Sequence, residues 1–593
     1  MQEYTAPGAI PVDPDLTVPD TLWAVEAERP DKAVLAYRDG DKFSDVTISE
    51  MASTVRRLAA GLMAIGIEKG DRVALFSPTR IEFTYFDYAI WAAAGATVTI
   101  YETSSAEQVE WIVGNSEAKA IIVATPELKA VFEEVAGRLP SCEHVFVIDD
   151  GAVEQLTELG KDISDDEVIA RSDSLVGDDI ATLVYTSGTT GMPKGCHLTH
   201  HNFVYNVKQS EETLGSLLHD QASMLMFLPL AHIFARLMQV ASVNRGSKIA
   251  FSTGIPNLME ELPMVRPTWL FSVPRVFEKV YNSAQAKAAD DGKGKIFDIA
   301  TATAIAFSKA REAGRVPLGL KLRHGLFDKL VYSKIREVLG GKAEHAISGG
   351  AALGSRLGYY FDGIGLSILE GYGLTETTAG STVNLPTERR IGSVGRPIAG
   401  TSVKIADDGE VLLKGAHIFK GYWKNEEATA EAIESDGWFH SGDIGKLEDG
   451  YLSITGRKKE IIVTAAGKNV APAVLEDRLR STAIVSQCMV VGDAQPFIAS
   501  VVTIDPDEWV RFAEQHGKSG PVADHVDDPD LIAAVQESVD IANKAVSRAE
   551  AIKAFRILPE DFSVEGGEMT PTLKVKRNVV NEKYHDVIDS IYS

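Results

Sequence analysis

Cysteine is nearly absent: Cys142, Cys196 and Cys488 are the only three in 593 residues. They lie far apart and form no CxxC pair, which argues against a disulfide framework and a zinc site and fits a reducing, cytoplasmic setting. Long apolar runs are also missing. The longest uncharged stretches, 88–101 and 221–235, fall short of the roughly 18–20 residues that a spanning helix needs. Any membrane contact is therefore expected to be peripheral. The N-terminal MQEYTAPGAIPVDPD lacks the basic-then-apolar layout of a signal peptide. Basic residues are outnumbered, 59 Lys and Arg against 84 Asp and Glu, for a formal charge of -25. That balance excludes nucleic acid as the expected partner, because phosphate backbones attract positive surfaces. An anionic substrate must then be held locally, by Lys, Arg, backbone N–H groups or a metal.

What is present is the composition of an ordinary globular enzyme, 45% hydrophobic and 24% charged, in a chain too long for one core. At least two domains are expected. Apolar segments alternate with amphipathic ones through the first 400 or so residues: helix over 53–67, strand over 72–76, helix over 83–94, strands over 96–100 and 120–123. This alternation points to an α/β fold with largely parallel sheets. The Ala- and Lys-rich stretch 284–341 reads as a helical excursion. Its basic part, Lys321-Leu322-Arg323-His324, is either a solvated helix face or a contact for ligand phosphates or anionic lipid. Past Thr401 come short strands over 402–405 and 410–414, then a turn-rich run. A smaller α+β unit follows, with strands over 460–463, 488–491 and 498–504, a helix starting near Pro472, and a long helix around 530–549. The boundary is placed at 456–459. The expected layout is thus a large domain of layered α/β subdomains, 1–456, and a small mobile α+β domain, 457–593.

The chemistry concentrates in Tyr185-Thr186-Ser187-Gly188-Thr189-Thr190-Gly191-Met192-Pro193-Lys194-Gly195, which follows an apolar strand over 181–185 and precedes a helix near Thr199. Glycines let N–H groups turn toward an anion, hydroxyls add donors, and Lys194 adds fixed charge: a phosphate cradle. The spacing does not match GxxxxGK[ST], so it is not a Walker loop.

This loop resembles the signature of the acyl-adenylate-forming superfamily, which includes acyl-CoA synthetases, luciferases and peptide-synthetase adenylation domains. Further segments agree in order: Ser348-Gly349-Gly350-Ala351-Ala352, Glu370-Gly371-Tyr372-Gly373-Leu374-Thr375-Glu376, Ser441-Gly442-Asp443, Thr455-Gly456-Arg457-Lys458-Lys459-Glu460 and Pro571-Thr572-Leu573-Lys574. The resemblance spans roughly residues 20 to 590. It implies an adenine pocket at Gly350, Ala351 and Tyr372, within the nucleotide-binding run Glu370–Gly373 and Thr375. Glu376 and the Thr186 hydroxyl are implied as Mg²⁺ ligands, and a lone carboxylate suits that hard ion when phosphate oxygens complete its shell. Asp443 is placed to accept hydrogen bonds from ribose hydroxyls, with Arg457 beside it. A histidine beside the acyl carboxylate matches His232, although a histidine among apolar residues is more often a core residue. Lys574 matches the lysine that bridges substrate carboxylate and α-phosphate. Leucine stands at 573 where the usual motif has glycine, a variant seen among long-chain acyl-CoA synthetases, and Lys576 and Arg577 are nearby competitors. Lys459 falls at the hinge about which the small domain turns, exchanging Lys574 for the face bearing Ala465-Ala466-Gly467-Lys468. The run Arg266-Pro267-Thr268-Trp269-Leu270-Phe271-Ser272-Val273-Pro274-Arg275-Val276-Phe277 is similar to the long-chain branch, where Phe277 would gate an acyl tunnel or simply pack in the core.

The resemblance therefore implies activation of a long-chain fatty acid by ATP to acyl-AMP, then transfer to coenzyme A with release of AMP and pyrophosphate. Two other readings stay open: a fatty acyl-AMP ligase serving a carrier protein, and a catalytically silent nucleotide-binding protein. Against the second stands the complete set Thr186, Glu376, Asp443 and Lys574. Monomer and homodimer are equally compatible with the sequence.

Overall fold

The computed structural model describes residues 3–186, 192–570 and 573–593. Five strands, in spatial order Ile180–Thr186, Ala96–Ile100, Arg72–Phe76, Ala120–Val123 and His144–Val147, the last at the edge, run parallel within a seven-stranded sheet. Helices cover both faces, so these strands are almost wholly buried and read as Val/Ile/Leu runs rather than alternating ones. Three of them have the bounds expected from sequence. The helix expected over 53–67 runs instead over Ile48–Ala64, because a capping box starts it early: Thr47 and Glu50 bond each other's backbone N–H groups. The helix expected over 83–94 is Ile81–Ala92.

Around the phosphate-loop segment the strand and the helix near Thr199 stand where expected, and one further strand lies between them. The strand Lys194–Thr199 returns antiparallel to Ile180–Thr186, with Thr186 opposite Lys194. This strand stands between the described end of the segment and the helix. The polar string KGCHLT hides this strand, whose place is fixed by its ladder partner rather than by its own pattern. The helix His200–Leu214 follows at once, capped by Thr199, whose hydroxyl accepts the Asn202 N–H.

A second parallel core, Trp269–Ser272, His345–Ser348 and Ser367–Tyr372, carries the adenine-pocket segments at its C-terminal ends. A four-stranded sheet, Ser223–Met226, Lys248–Phe251, Ala33–Asp39 and Lys42–Thr47, adjoins it. The helical excursion starts earlier than expected, with Pro274–Asp290, and continues through Gly294–Glu312, Leu318–Phe327, a π-turn Asp328–Tyr332, and Ser333–Val338. Next comes an antiparallel sheet, Glu3–Thr5, Ser402–Ile405, Glu410–Lys414, Phe439–Glu448 and Tyr451–Arg457, whose last two strands place Asp443 opposite Arg457.

Beyond it, Lys458–Glu460 forms a 3-10 turn, which shortens the strand expected over 460–463 to Ile462–Val463. The helix Pro472–Leu479 begins at the expected proline. Val485–Val491, longer than expected, pairs with Ile498–Ile504, whose other edge pairs with Ile552–Ile557. The long helix is Pro529–Asn543, capped by Asp528, and stops short of 549. Apolar clusters from Ile462 onward, centred on Leu475, Val502 and Val535 and on Met489, Val501 and Phe562, share no residue with the clusters built before them. The two sets of cores touch through polar contacts: Arg275 Nη2 donates to Ser486 Oγ at 3.0 Å and Arg356 Nη2 to the Ser481 carbonyl at 2.9 Å.

Candidate active site

A cleft of about 870 Å³ opens where the C-terminal strand ends meet the small body. Its walls bring together Thr186, Lys194, His232, Gly350, Gly371, Tyr372, Gly373, Thr375, Glu376, Arg457, Lys459 and Lys574. Ser187, Gly188, Thr189, Thr190 and Gly191 lie outside the described residues.

Four expected residues stand apart from these walls: Asp443, buried behind Tyr372 and Arg457, and three more. Glu370 turns inward and accepts the Leu353 N–H at 3.0 Å; burial lifts its carboxyl to about 7, so it anchors the loop that follows Gly350. Ala351 is solvent-exposed. Phe277 is buried in the helical layer, edge-on to Phe361 with ring centroids 5.5 Å apart, although Val273 and Val276 of the same segment do line a small apolar pocket beside His232.

The strand Ser367–Tyr372 delivers Tyr372, and the next residue must be glycine, since a Cβ at Gly373 would stand 1.5 Å from the Ala379 carbonyl oxygen. The Tyr372 hydroxyl donates to Asp443 Oδ2 at 2.6 Å, and Arg457 Nε donates to Asp443 Oδ1 at 2.8 Å. Burial and then the Asp443 charge push the Tyr372 phenol well up. Burial works against the Arg457 cation, but Asp443, Glu460 and Tyr372 together outweigh it and hold its pKa above the usual value. Glu410, which sequence reasoning missed, braces this corner: it accepts the Gly442 N–H and the Lys458 ammonium, each at 3.0 Å. Burial opposes its ionisation, yet Lys458, His440 and that N–H together keep its carboxyl low.

Glu376 sits on the 3-10 turn Thr375–Thr377, and its Oε1 accepts the Tyr422 hydroxyl at 2.9 Å. Tyr422, also missed, lies on the edge strand Gly421–Tyr422 paired to Lys194–Thr199, and the Lys194 ammonium stands 5.0 Å from its ring centroid. Among the described residues no group of three or more His, Cys, Asp or Glu gathers as a metal cage. A single carboxylate with a hydroxyl nearby, leaving most positions to phosphate oxygens and water, is the donor set that fits Mg²⁺ with a nucleotide.

His232 caps the helix Ile233–Arg245, its Nδ1 accepting the Phe234 N–H at 3.2 Å. Burial first, then the Lys574 cation, drops its pKa to about 3. The ring is therefore neutral, and with Nδ1 accepting, Nε2 carries the proton and serves as a donor. One turn on, buried Arg236 ties this helix to Asp87 through Nε at 3.0 Å and to Thr182 of the phosphate-loop strand at 2.6 Å. Removing one partner of such a buried pair typically costs ~3–5 kcal/mol.

Lys574 rides on a short turn of the small body: its N–H donates to Thr570 Oγ1 at 3.0 Å and its carbonyl accepts the Thr570 N–H at 2.8 Å. Leu573 holds φ +60, a left-handed value that explains why glycine is usual there. Gly350, at φ +84, leaves space that Lys574 enters, its Cε 3.9 Å from where a Cβ on Gly350 would stand. Burial and then Arg457 lower the Lys574 pKa, with Asp443 and Glu460 opposing. Of its two competitors, Lys576 also lines the cleft, while Arg577 is committed to Glu476 at 2.6 Å.

Residues 22–423 match the family model described as AMP-binding enzyme, and residues 459–593 match that of the AMP-binding enzyme C-terminal domain. The chain is 46% identical to long-chain-fatty-acid–CoA ligases of Mycobacterium bovis and Mycobacterium tuberculosis over 599 aligned positions, covering 100% of each chain. It is 32% identical to such a ligase of Xenopus laevis, over 95% of this chain and 82% of that one. Among solved structures, the adenylation domain of a carboxylate reductase from Mycobacterium chelonae matches with TM-score 0.76 at 22% identity, covering 98% of this chain and 92% of that one. A Mycobacterium tuberculosis fatty acyl CoA synthetase matches with TM-score 0.63 at 23% identity, covering 96% and 99%.

Proposed function

The chain belongs to the AMP-binding enzyme family, and we propose that its two bodies divide the work of an AMP-forming long-chain fatty-acid–CoA ligase. Residues 1–456 hold ATP and the acid, and residues 457–593 form a mobile lid. The ligase activity follows from identity along the whole length of the mycobacterial relatives. The division of roles rests on one observation: Lys574 of the small body enters the cleft at Gly350, with His232, Glu376 and the Asp443–Arg457 pair around the same space.

A carboxylate is a poor electrophile, so the acid is first activated. Its oxygen attacks the α-phosphorus of ATP, a P–O bond forms, and pyrophosphate leaves with the electron pair of the bond that breaks. Negative charge gathers around phosphorus. The Lys574 ammonium, the Lys194 side chain and the loop donors Thr186–Gly191 stabilise it, which is the largest kind of contribution a site of this type makes. Glu376 and Thr186 would hold Mg²⁺, which when bound neutralises phosphate charge. Asp443 accepts from the ribose hydroxyls, held in place by Tyr372 and Arg457, and the His232 Nε2–H donates to the acyl carboxylate. In the second step the CoA thiolate attacks the acyl carbon and AMP leaves. Rotation about Lys459 withdraws Lys574 and presents the segment Ala465–Lys468 to the cleft, a gating motion of a familiar kind. We place the enzyme in the cytoplasm, with any membrane contact peripheral.

The test is product analysis with a series of acids from acetate to arachidate, with and without CoA. The proposal expects acid-dependent pyrophosphate and acyl-AMP without the thiol, and pyrophosphate, AMP and acyl-CoA with it, with palmitate far ahead of acetate. Acyl-AMP accumulation without thioester would favour the carrier-protein reading. ADP and orthophosphate would overturn the mechanism.

A further inference from the structure

The helix Leu318–Phe327 is amphipathic in an unusual direction. Its inner face packs on Gly294–Glu312: His324 stacks on Phe307 at a centroid distance of 3.8 Å and its Nε2 bonds the Gly363 carbonyl at 2.6 Å, while Phe327 and Tyr332 are buried. Its outer face carries Leu318, Leu322 and Leu326 at four-residue spacing, 73%, 69% and 56% exposed, with Leu330 of the π-turn 52% exposed. The adjoining helix exposes Ile296 and Ile299. Single exposed leucines are ordinary, but a ladder of four on one short segment marks a surface that something else covers.

Charge indicates what covers it. Between 293 and 342 there are eleven Lys and Arg against four Asp and Glu, in a chain whose net charge is -25. Lys293, Arg311 and Arg336 have carboxylate partners. Exposed Arg315, Lys321, Arg323 and Lys329 have no ion-pair partner among the described residues. A second copy of the chain is a poor occupant, because a two-fold interface would set this basic strip against itself. An anionic bilayer meets both features: leucines enter the headgroup–acyl boundary to a depth of about 5–10 Å and the cations meet lipid phosphates.

We propose that the outer face of Leu318–Phe327, with Leu330, is the docking surface of this protein for anionic membranes. It deepens the peripheral contact proposed above and can fail separately from it. The experiment is co-sedimentation of the full chain with phosphatidylcholine vesicles, with and without phosphatidylglycerol, alongside sedimentation velocity. The wild type should pellet with the anionic vesicles at low salt and be released by salt. The double variant Leu322→Glu/Leu326→Glu should bind at least about tenfold more weakly, given the apolar area withdrawn. Lys321→Glu/Arg323→Glu should lose the preference for anionic lipid by a similar factor. Without CoA, all three proteins should release pyrophosphate from ATP and a short soluble acid at one rate, which shows that the variants fold. Failure of the wild type to bind any vesicle would overturn the peripheral contact itself. Equal binding by the leucine variant would overturn this surface, as would a wild-type dimer that the leucine variant abolishes.

Discussion

The two walls of the cleft are built in opposite ways. On the large body, each anchoring side chain already has its partner: Asp443 binds Tyr372 and Arg457, Glu376 binds Tyr422, and His232 Nδ1 takes the Phe234 N–H. These groups stand within a strand, on a 3-10 turn and at a helix start. On the small body, the decisive ammonium sits on a turn held by two Thr570 bonds, next to a leucine at positive φ. Among the described residues no carboxylate reaches ion-pair distance of Lys574, and its pKa is lowered by burial and by Arg457. In the proposed mechanism one wall is pre-organised for a nucleotide that stays through both half-reactions. The other carries a cation that is costly to hold in the empty cleft and favourable once phosphate and carboxylate arrive, as expected of a group delivered for one step and then withdrawn.

The contrast predicts graded losses. Lys574→Ala should suffer most, with pyrophosphate release falling at least a hundred- to a thousandfold, the cost of one well-placed charge donor at a transition state. Glu376→Gln keeps the Tyr422 contact in shape but removes the carboxylate charge. It should lower the same rate by about a hundredfold and raise the Mg²⁺ concentration for half-maximal activity. A variant with unchanged Mg²⁺ dependence would remove Glu376 from that role. Tyr422→Phe deletes only the bond that orients Glu376 and should cost about three- to tenfold in kcat/KM, as a net hydrogen bond of about 1 kcal/mol requires. No change at all would make Tyr422 a packing residue.

Much of this was legible in the sequence, and what was not shares one cause. Buried parallel strands such as Arg72–Phe76 and Ala96–Ile100 announce themselves because both faces must be apolar. The order of motif segments located the cleft residues from Thr186 to Lys574. The strand Lys194–Thr199 was hidden because its residues are polar and only the ladder to Ile180–Thr186 makes it a strand. Glu410 and Tyr422 act on residues 32 and 46 positions away, and no local pattern marks either. Phe277 and Ala351 matched their segments, yet side-chain direction sent one into the helical layer and the other to solvent.

The smallest expected effect concerns stability. Burial holds His197, His200, His232 and His417 of the large body neutral, with pKa values of about 4, 3, 3 and 4. In an unfolded chain each would titrate near 6.5, so between about pH 3 and 6.5 the unfolded state binds more protons. Stability from these groups is whole above about pH 6.5 and is lost as the pH falls, by up to ~1.4 kcal/mol per group per pH unit. Urea midpoints should fall between neutral pH and about pH 5, and His417→Gln should make that fall shallower. A midpoint independent of pH across this range would contradict the neutral-histidine assignment.

The central claim is that Lys574 serves adenylate formation and must leave for thioester formation. Synthetic palmitoyl-AMP and CoA given to the Lys574→Ala protein test it most directly, since this supplies the product of the missing step. Palmitoyl-CoA should form at close to the wild-type rate while the same protein makes no adenylate from ATP. Loss of both half-reactions, or survival of both, would contradict the account.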